Sequence, residues 1–142
     1  MRIADLLAHK GNAVLTVSPD DPVASLLEVL AERNVGAAVV CEDDRLAGIV
    51  SERDVVRHLH RHGASLLDAP ISEIMTTVVA TCRATDDVQN LSRTMTEKRI
   101  RHVPVVDEAG KLTGIVSIGD VVKSRIDQLE EHRSQLEAYI SG

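Results

Sequence analysis

Along this chain, short runs of β-branched residues give way to apolar positions at helical spacing, and the whole succession occurs twice. Val14 to Val17 reads as a short strand, and Val23, Leu26, Leu27 and Leu30 then mark one face of a helix. A strand (Ala37 to Cys41), a tight turn and a second strand (Leu46 to Val50) follow, and another helix begins near Ser51. The second passage gives a strand from Val78 to Thr81, a helix with Val88, Leu91 and Met95 on one face, strands Val103 to Val106 and Leu112 to Val116, and a helix from near Ser117. Asp21 before Pro22 and Asp86 before Asp87 are the predicted acidic caps of the first helix in each copy, with Pro22 at the first helical position. Each copy therefore predicts the order β-α-β-β-α. The fold class is α+β (of α/β type), two tandem motifs packed as one pseudo-twofold module with a C-terminal helix.

The duplication extends to individual residues. GIVSERDVVRHL at 48–59 returns as GIVSIGDVVKSR at 114–125, 66 residues later. Upstream the offset is 65: Val14 lies over Val79, Thr16 over Thr81, Asp21 over Asp86, Leu26 over Leu91 and Val35 over Ile100. The single-residue change of offset falls between CEDDRL and VDEAGKL, where Gly110 and polar residues mark a turn. One unit of about 50 residues cannot bury its own apolar faces, so the two copies are expected to pack together. The predicted division is 1–62 for the first motif, 63–70 for a connector broken by Gly63 and Pro70, 71–126 for the second motif and 127–142 for a helical tail. On that terminal helix Val122, Leu129 and Leu136, with Ile126 and Ile140, make an apolar stripe interrupted by Arg133. Such a stripe can dock on its own domain or pair with a second subunit.

Composition narrows the function classes. The 142 residues suit one compact domain; hydrophobic residues are 44% but aromatics only 1%, with one Tyr and no Phe or Trp. The core must be built from Val, Leu, Ile, Ala and Met, and no aromatic platform exists on which single-stranded nucleic acid could stack. A formal charge of −6 also argues against a nucleic-acid partner, and Lys98, Arg99 and Arg101 are too small a patch to reverse that. No long apolar run predicts a membrane span, and MRIADLLAHKGN lacks the features of a signal peptide. Cys41 and Cys82 are isolated thiols without metal or redox spacing, which fits a reducing cytoplasm. His58, His60 and His62 resemble a metal cluster, but only His58 and His62 share a helical face and no third ligand is near, so a fraying helix end is expected. Glu42, Asp43 and Asp44 read as a solvated turn. No nucleophile, base and orienting group come together in the pattern, and the chain is not read as an enzyme.

The chemistry concentrates in the repeated Gly-Ile-Val-Ser-x-x-Asp-Val-Val. Ser51 and Asp54, and again Ser117 and Asp120, stand three apart at the positive end of a helix. The plain reading is a capping box, hydroxyl and acid satisfying orphan backbone N–H groups. Two equivalent copies, and Asp where Glu would cap better, point instead to carboxylates that accept both hydroxyls of a vicinal diol such as ribose. Gly48 and Gly114 would let the backbone approach something flat.

With Lys10-Gly11, GIVSERD (48–54), SEIM (72–75), MTEKRIRHVPVV (95–106) and GIVSIGDVVK (114–123), the chain resembles a CBS-domain pair, or Bateman module, over nearly its whole length. It is most similar to the small stand-alone bacterial members. The resemblance implies a regulatory module that binds AMP, ADP, ATP or NAD in clefts between the two motifs and passes occupancy to a regulated protein not identifiable from the sequence. It implies a homodimer, and no obligatory cofactor or metal. Carried over residue by residue, Asp54 and Asp120 hold ribose, Ser51 and Ser117 are their hydroxyl partners, and Thr16 and Thr81 border the base or phosphate. Arg101 and His102, just before Val103-Pro104, stand where phosphate ligands are expected, whereas the first copy has Gly36-Ala37 there and carries Arg53 inside its motif. Two inequivalent sites are therefore expected. Two other classes stay open: a dimerisation module whose motifs only cap helices, and a nucleotide hydrolase.

Overall fold

The computed structural model describes residues 1–77 and 80–141. Helix α1 (Ile3–Lys10) is followed by strand β1 (Thr16–Val17), helix α2 (Val23–Arg33), strands β2 (Ala37–Glu42) and β3 (Arg45–Ser51), and helix α3 (Glu52–His62). Two short 3-10 segments, Gly63–Asp68 and Ile71–Glu73, lead to strand β4 (Thr76–Thr77) and helix α4 (Val88–Lys98). The hairpin β5 (His102–Val106) and β6 (Leu112–Ser117) and the helix α5 (Ile118–Ser141) complete the chain. Strands β1 to β4 form one sheet in sequence order, β1 parallel to β2 and the other pairs antiparallel; β5 and β6 form a second, antiparallel pair.

The predicted β-α-β-β-α order is realised in the first lobe as β1-α2-β2-β3-α3. In the second lobe α4-β5-β6-α5 repeats it. Of its expected first strand, Val78 and Val79 lie outside the described residues; Thr81 is not in a strand, and Cys82 makes a single parallel bridge to Val105. That bridge is the counterpart of Val17 paired with Val40, with both partners displaced by 65 residues. Bulges interrupt the two hairpins at Val40/Cys41 and Val105/Val106, again 65 apart. The change of offset is confined to the turns. Asp43 and Asp44, both at positive φ (50° and 63°), make a two-residue connection of the type that matches strand twist. The second turn is one residue longer, and there the Asp107 Oδ1 accepts the N–H groups of Ala109 and Lys111, each at 2.9 Å.

The acidic caps shift by one residue from expectation. Pro22, not Asp21, precedes the first turn of α2, and it caps without a side-chain bond. Asp87 caps α4 by accepting the Gln89 N–H at 3.1 Å. Asp21 and Asp86 instead brace the preceding turn, each accepting a backbone N–H three residues back, from Ser18 at 3.1 Å and from Arg83 at 2.8 Å. Short acids do this readily in turns, which competes with capping.

Two aliphatic cores lie side by side. The first contains Val23, Leu26, Leu30, Val40, Val50, Val55, Leu66, Ile71 and Ile74; the second contains Cys82, Val88, Leu91, Met95, Val103, Val105, Val116 and Val121. The second also contains Ile3, Leu6 and Leu7. Residues 1–10, grouped with the first motif in the sequence division, are thus packed in the second lobe, while Ile71 and Ile74 close the first. The backbone bonds show the exchange directly. The Ile71 and Ser72 N–H groups donate to Asp21 O and Pro19 O, and those of Ile3 and Ala4 donate to Asp86 O and Ala84 O, all at 2.9 Å. Each lobe is sealed by the segment that leads into the other repeat. Burying those lead-in residues draws the two small units into one module, as neither has a complete core without them. Helix α5 runs unbroken across position 127, where the tail was expected to begin, and from Leu129 onward its described residues are exposed.

Candidate functional site

The sheet and hairpin gather most of the predicted site residues at one end of each lobe. In the first lobe, Ala37 at the start of β2 pairs with Ser51 at the end of β3, and Thr16 lies two residues further along on β1, opposite Val39. In the second, His102 pairs with Ser117, Pro104 with Ile115, and the Cys82 N–H donates to Pro104 O at 3.0 Å, which sets Thr81 alongside. The strand-to-helix junctions match as well: Glu52 N–H donates to Gly36 O at 2.9 Å, and Ile118 N–H to Arg101 O at 2.8 Å. Thr81, Arg101, His102, Pro104, Ser117 and Asp120 therefore belong to one cluster, and Thr16, Ser51, Arg53 and Asp54 to another. Arg53 is exposed on the first turn of α3 and makes no ion pair among the described residues.

Both Ser-x-x-Asp motifs form capping boxes. The Asp54 Oδ2 accepts the Ser51 N–H at 2.8 Å and its hydroxyl at 3.1 Å, while the Ser51 Oγ accepts the Asp54 N–H at 3.4 Å. Ser117 N–H donates to Asp120 Oδ2 at 2.8 Å and Asp120 N–H to Ser117 Oγ at 3.1 Å. The plain structural reading of the motif is thus correct for this structure. It uses only one oxygen of each acid, however. Oδ1 of Asp54 and of Asp120 makes no hydrogen bond among the described residues, and both side chains remain partly exposed. A box that fixes the carboxylate by Oδ2 leaves Oδ1, and the remaining lone pairs of Oδ2, for a ligand.

The second cluster contains a residue the sequence did not single out for a role. Lys10, at the end of α1, places Nζ 2.5 Å from Asp120 Oδ2 and 2.7 Å from Ile115 O. Burial alone would raise the Asp120 carboxyl; the bonds from Lys10 and from the Ser117 N–H, with the lysine charge, outweigh it and hold the group below its ordinary value. His102 is pushed the other way for a base. Burial, then the Lys10 ammonium, lowers it, Asp120 raises it in part, and Arg101 lowers it further. Nothing comparable surrounds Asp54, which has no ion pair among the described residues. In the sequence Lys10 stands out only as half of a Lys-Gly pair. Its contact spans 110 positions, which no local pattern reports.

A groove of about 630 Å³ lies elsewhere, between α1, the 83–85 loop and the β5–β6 turn; Leu7, Gly11, Arg83 and Asp107 line it, and none of the ten predicted site residues does. His58 and His62 stack with ring centroids 6.1 Å apart, and the His58 Nδ1 lies 2.8 Å from Asp54 O. Helix α3 stays regular through His62 and does not fray. No group of three metal-ligating side chains occurs among the described residues. Cys82 is buried, and burial, with the nearby Asp86, pushes its thiol up to about 12; Cys41 is raised by burial and Asp44. Both shifts favour the protonated thiol over the thiolate at neutral pH. No described helix is long and apolar enough to cross a membrane.

A tandem β-α-β-β-α pair with exchanged lead-in segments, and a Ser/Asp box at each strand-to-helix junction, defines a paired-motif module. The family model for the CBS domain matches residues 5–61 and 71–127, and the chain belongs to the CBS-domain family as a tandem pair. It is 36% identical over 149 aligned positions to the CBS domain-containing protein CBSX3, mitochondrial, of Arabidopsis thaliana, covering 99% of this chain and 72% of that one. The crystal structure of a CBS-domain containing protein from Agrobacterium tumefaciens superposes with a TM-score of 0.84 at 40% identity, over 88% of this chain and 99% of that one. A CBS domain protein from Pyrobaculum aerophilum, solved as a complex with AMP, has a TM-score of 0.75 at 30% identity, over 84% and 89% of the two chains.

Proposed function

We propose that this protein is a regulatory module that binds adenine nucleotides (AMP, ADP, ATP or NAD) at its two Ser/Asp junctions and signals their presence to a partner protein. Asp54 and Asp120 accept the ribose hydroxyls through Oδ1, with Ser51 and Ser117 fixing each acid. Thr16 and Thr81 border the ligand. Arg53 serves the first cleft; Arg101, His102 and the wall made by Pro104 serve the second. The reading is supported most by the second cluster, where a held carboxylate, two basic side chains and a histidine converge on one strand-to-helix junction. The AMP complex of the Pyrobaculum aerophilum protein supports the ligand class. The role is binding rather than turnover, and the isolated thiols suit a reducing cytoplasm.

The test is a melting assay with AMP, ADP, ATP and NAD. A ligand at about 100 times its Kd should add about 2.7 kcal/mol per site. Asp54→Ala and Asp120→Ala should each remove the response of one cleft, and each should also lower the baseline by ~1 kcal/mol through loss of a cap. A lowered baseline with the full ligand response retained in both variants would reduce the motifs to caps.

That outcome would favour a second reading, an association module. Val56 and Leu59 on α3 and Val122, Ile126 and Leu129 on α5 are large apolar side chains left 44% to 65% exposed. On either reading we propose a homodimer formed through these helices. Sedimentation of a concentration-independent monomer would refute it.

A further inference from the structure

We infer that Lys10 is the phosphate-selecting residue of the second cleft: it pins Asp120 in the empty protein and turns a free N–H to the ligand's phosphate in the bound one, so that this cleft takes nucleotides and discriminates against nucleosides. The inference rests on the nucleotide reading above and adds to it a residue and a ligand requirement.

The geometry carries it. An ammonium has three donors and no acceptor. Lys10 spends one on Ile115 O and one on Asp120 Oδ2, which leaves one N–H without a protein partner. The pair is not sealed, since the side chains of Lys10 and Asp120 are 29% and 24% exposed. His102 lies among the cations Lys10 and Arg101 and the one carboxylate of Asp120. The local balance is therefore positive before any ligand arrives. A phosphate corrects that balance. A nucleoside does not: its ribose hydroxyls meet Oδ1 of Asp120 while the third Lys10 N–H stays unmatched, and a charge left short of partners in a partly dry site is costly. Lysine suits this task because it is a compact charge on a flexible stem, whose three donors can face three acceptors at once. In the first cleft the carboxylate of Asp54 has no ammonium on it among the described residues, so that cleft has no such requirement.

The end of α1 is placed to make the contact. The helix stops at Lys10, and Gly11, at φ 98°, turns the chain away. That places the lysine at the C-terminal end of α1, where the helix dipole favours a cation, and directly over the N-terminal turn of α5.

The experiment titrates AMP and adenosine calorimetrically into Asp54→Ala protein, which isolates the second cleft, and into the same protein carrying Lys10→Met or Lys10→Arg. The expected result is that Lys10→Met weakens AMP at least tenfold while adenosine is unchanged or tighter, and that Lys10→Arg restores most of the AMP affinity. Inorganic phosphate should compete with AMP in the parent and lose that ability in Lys10→Met. Equal weakening of AMP and adenosine would make Lys10 a packing residue, and no change in either would remove it from the site; both overturn the inference while leaving the nucleotide reading in place. If wild-type protein binds neither ligand, the nucleotide reading itself falls, and the inference with it, before any lysine has been changed. Circular dichroism and the melting point of each variant confirm that the compared proteins are folded.

Discussion

The two lobes agree residue by residue where backbone bonds are made and diverge where a charged ligand would be met. Val17 with Val40 and Cys82 with Val105 hold the same register, and the bulges beyond them match. Asn34 and Arg99, also 65 apart, both end their helices in the left-handed conformation, although only asparagine is at ease there. At the motif the likeness stops: Asp54 is held by its own box alone, Asp120 by its box and Lys10. A duplicated scaffold keeps its ladders because one slip exposes a whole face. Its site charges carry no such penalty and are free to differ.

The exchanged segments carry the largest expected effect on stability. Ile3 and Ile71 are completely buried, one in each core, and each truncation to alanine should cost about 2–5 kcal/mol. Because each belongs to a lead-in that serves the opposite lobe, Ile3→Ala and Ile71→Ala should lower the melting point similarly and keep a single cooperative transition. Two separated transitions in either variant would show that the lobes fold independently, contrary to the exchange.

A smaller effect separates the lobes where the sequence makes them identical. Gly48 and Gly114 open the same Gly-Ile-Val string. A Cβ on Gly48 would lie 2.6 Å from Thr76 O, a backbone atom of the neighbouring strand, whereas on Gly114 it would meet the Leu7 methyl carbons at 3.2 Å. Backbone paired in a sheet cannot retreat, but a leucine can turn. Gly48→Ala should therefore cost about 1–3 kcal/mol and Gly114→Ala less than about 1 kcal/mol, read as urea midpoints at unchanged m. Equal losses would mean that α1 is held on β6 as rigidly as β4 is held on β3.

This contrast also marks the limit of what the chain reveals by itself. Elements that repeat at a constant offset were legible: both hairpins, helices α2 and α4, the junctions at Ser51 and Ser117, and the turn holding the extra residue. The lead-in exchange was not. Ile3 matches Ile71 at an offset of 68, outside the 65-residue alignment, and the spacing of Ile3, Leu6 and Leu7 gives a helix without saying which core receives it. The shifted caps have a local cause, since Asp21 and Asp86 had a turn to brace as well as a helix to start. At the site the sequence supplied both Ser/Asp pairs and the basic residues of the second lobe. It left open whether the acids face the main chain or a ligand, because the same three-residue spacing serves both uses and one oxygen is enough for the first.

The smallest expected effect is in acid, and its sign follows from the held carboxylate. Asp120 lies below its ordinary value of 3.8 in the folded protein, so its contribution to stability is fully present above that value and is lost as pH falls through the lower, folded one. His102 acts in a different window. Its folded value lies below 6.5, so the unfolded chain takes up the proton first, and stability declines as pH drops beneath 6.5 towards the folded value. The acid limb of a melting-point profile should accordingly have two parts. Asp120→Asn should lower the plateau at neutral pH, flatten the part near and below pH 3.8 and, by removing the carboxylate that raises His102, deepen the higher part, while His102→Gln should flatten the higher part. If Asp120→Asn leaves the lowest part unchanged, Lys10 and Asp120 are not paired in solution. The asymmetry between the two junctions would then have to rest on Arg101 and His102 alone.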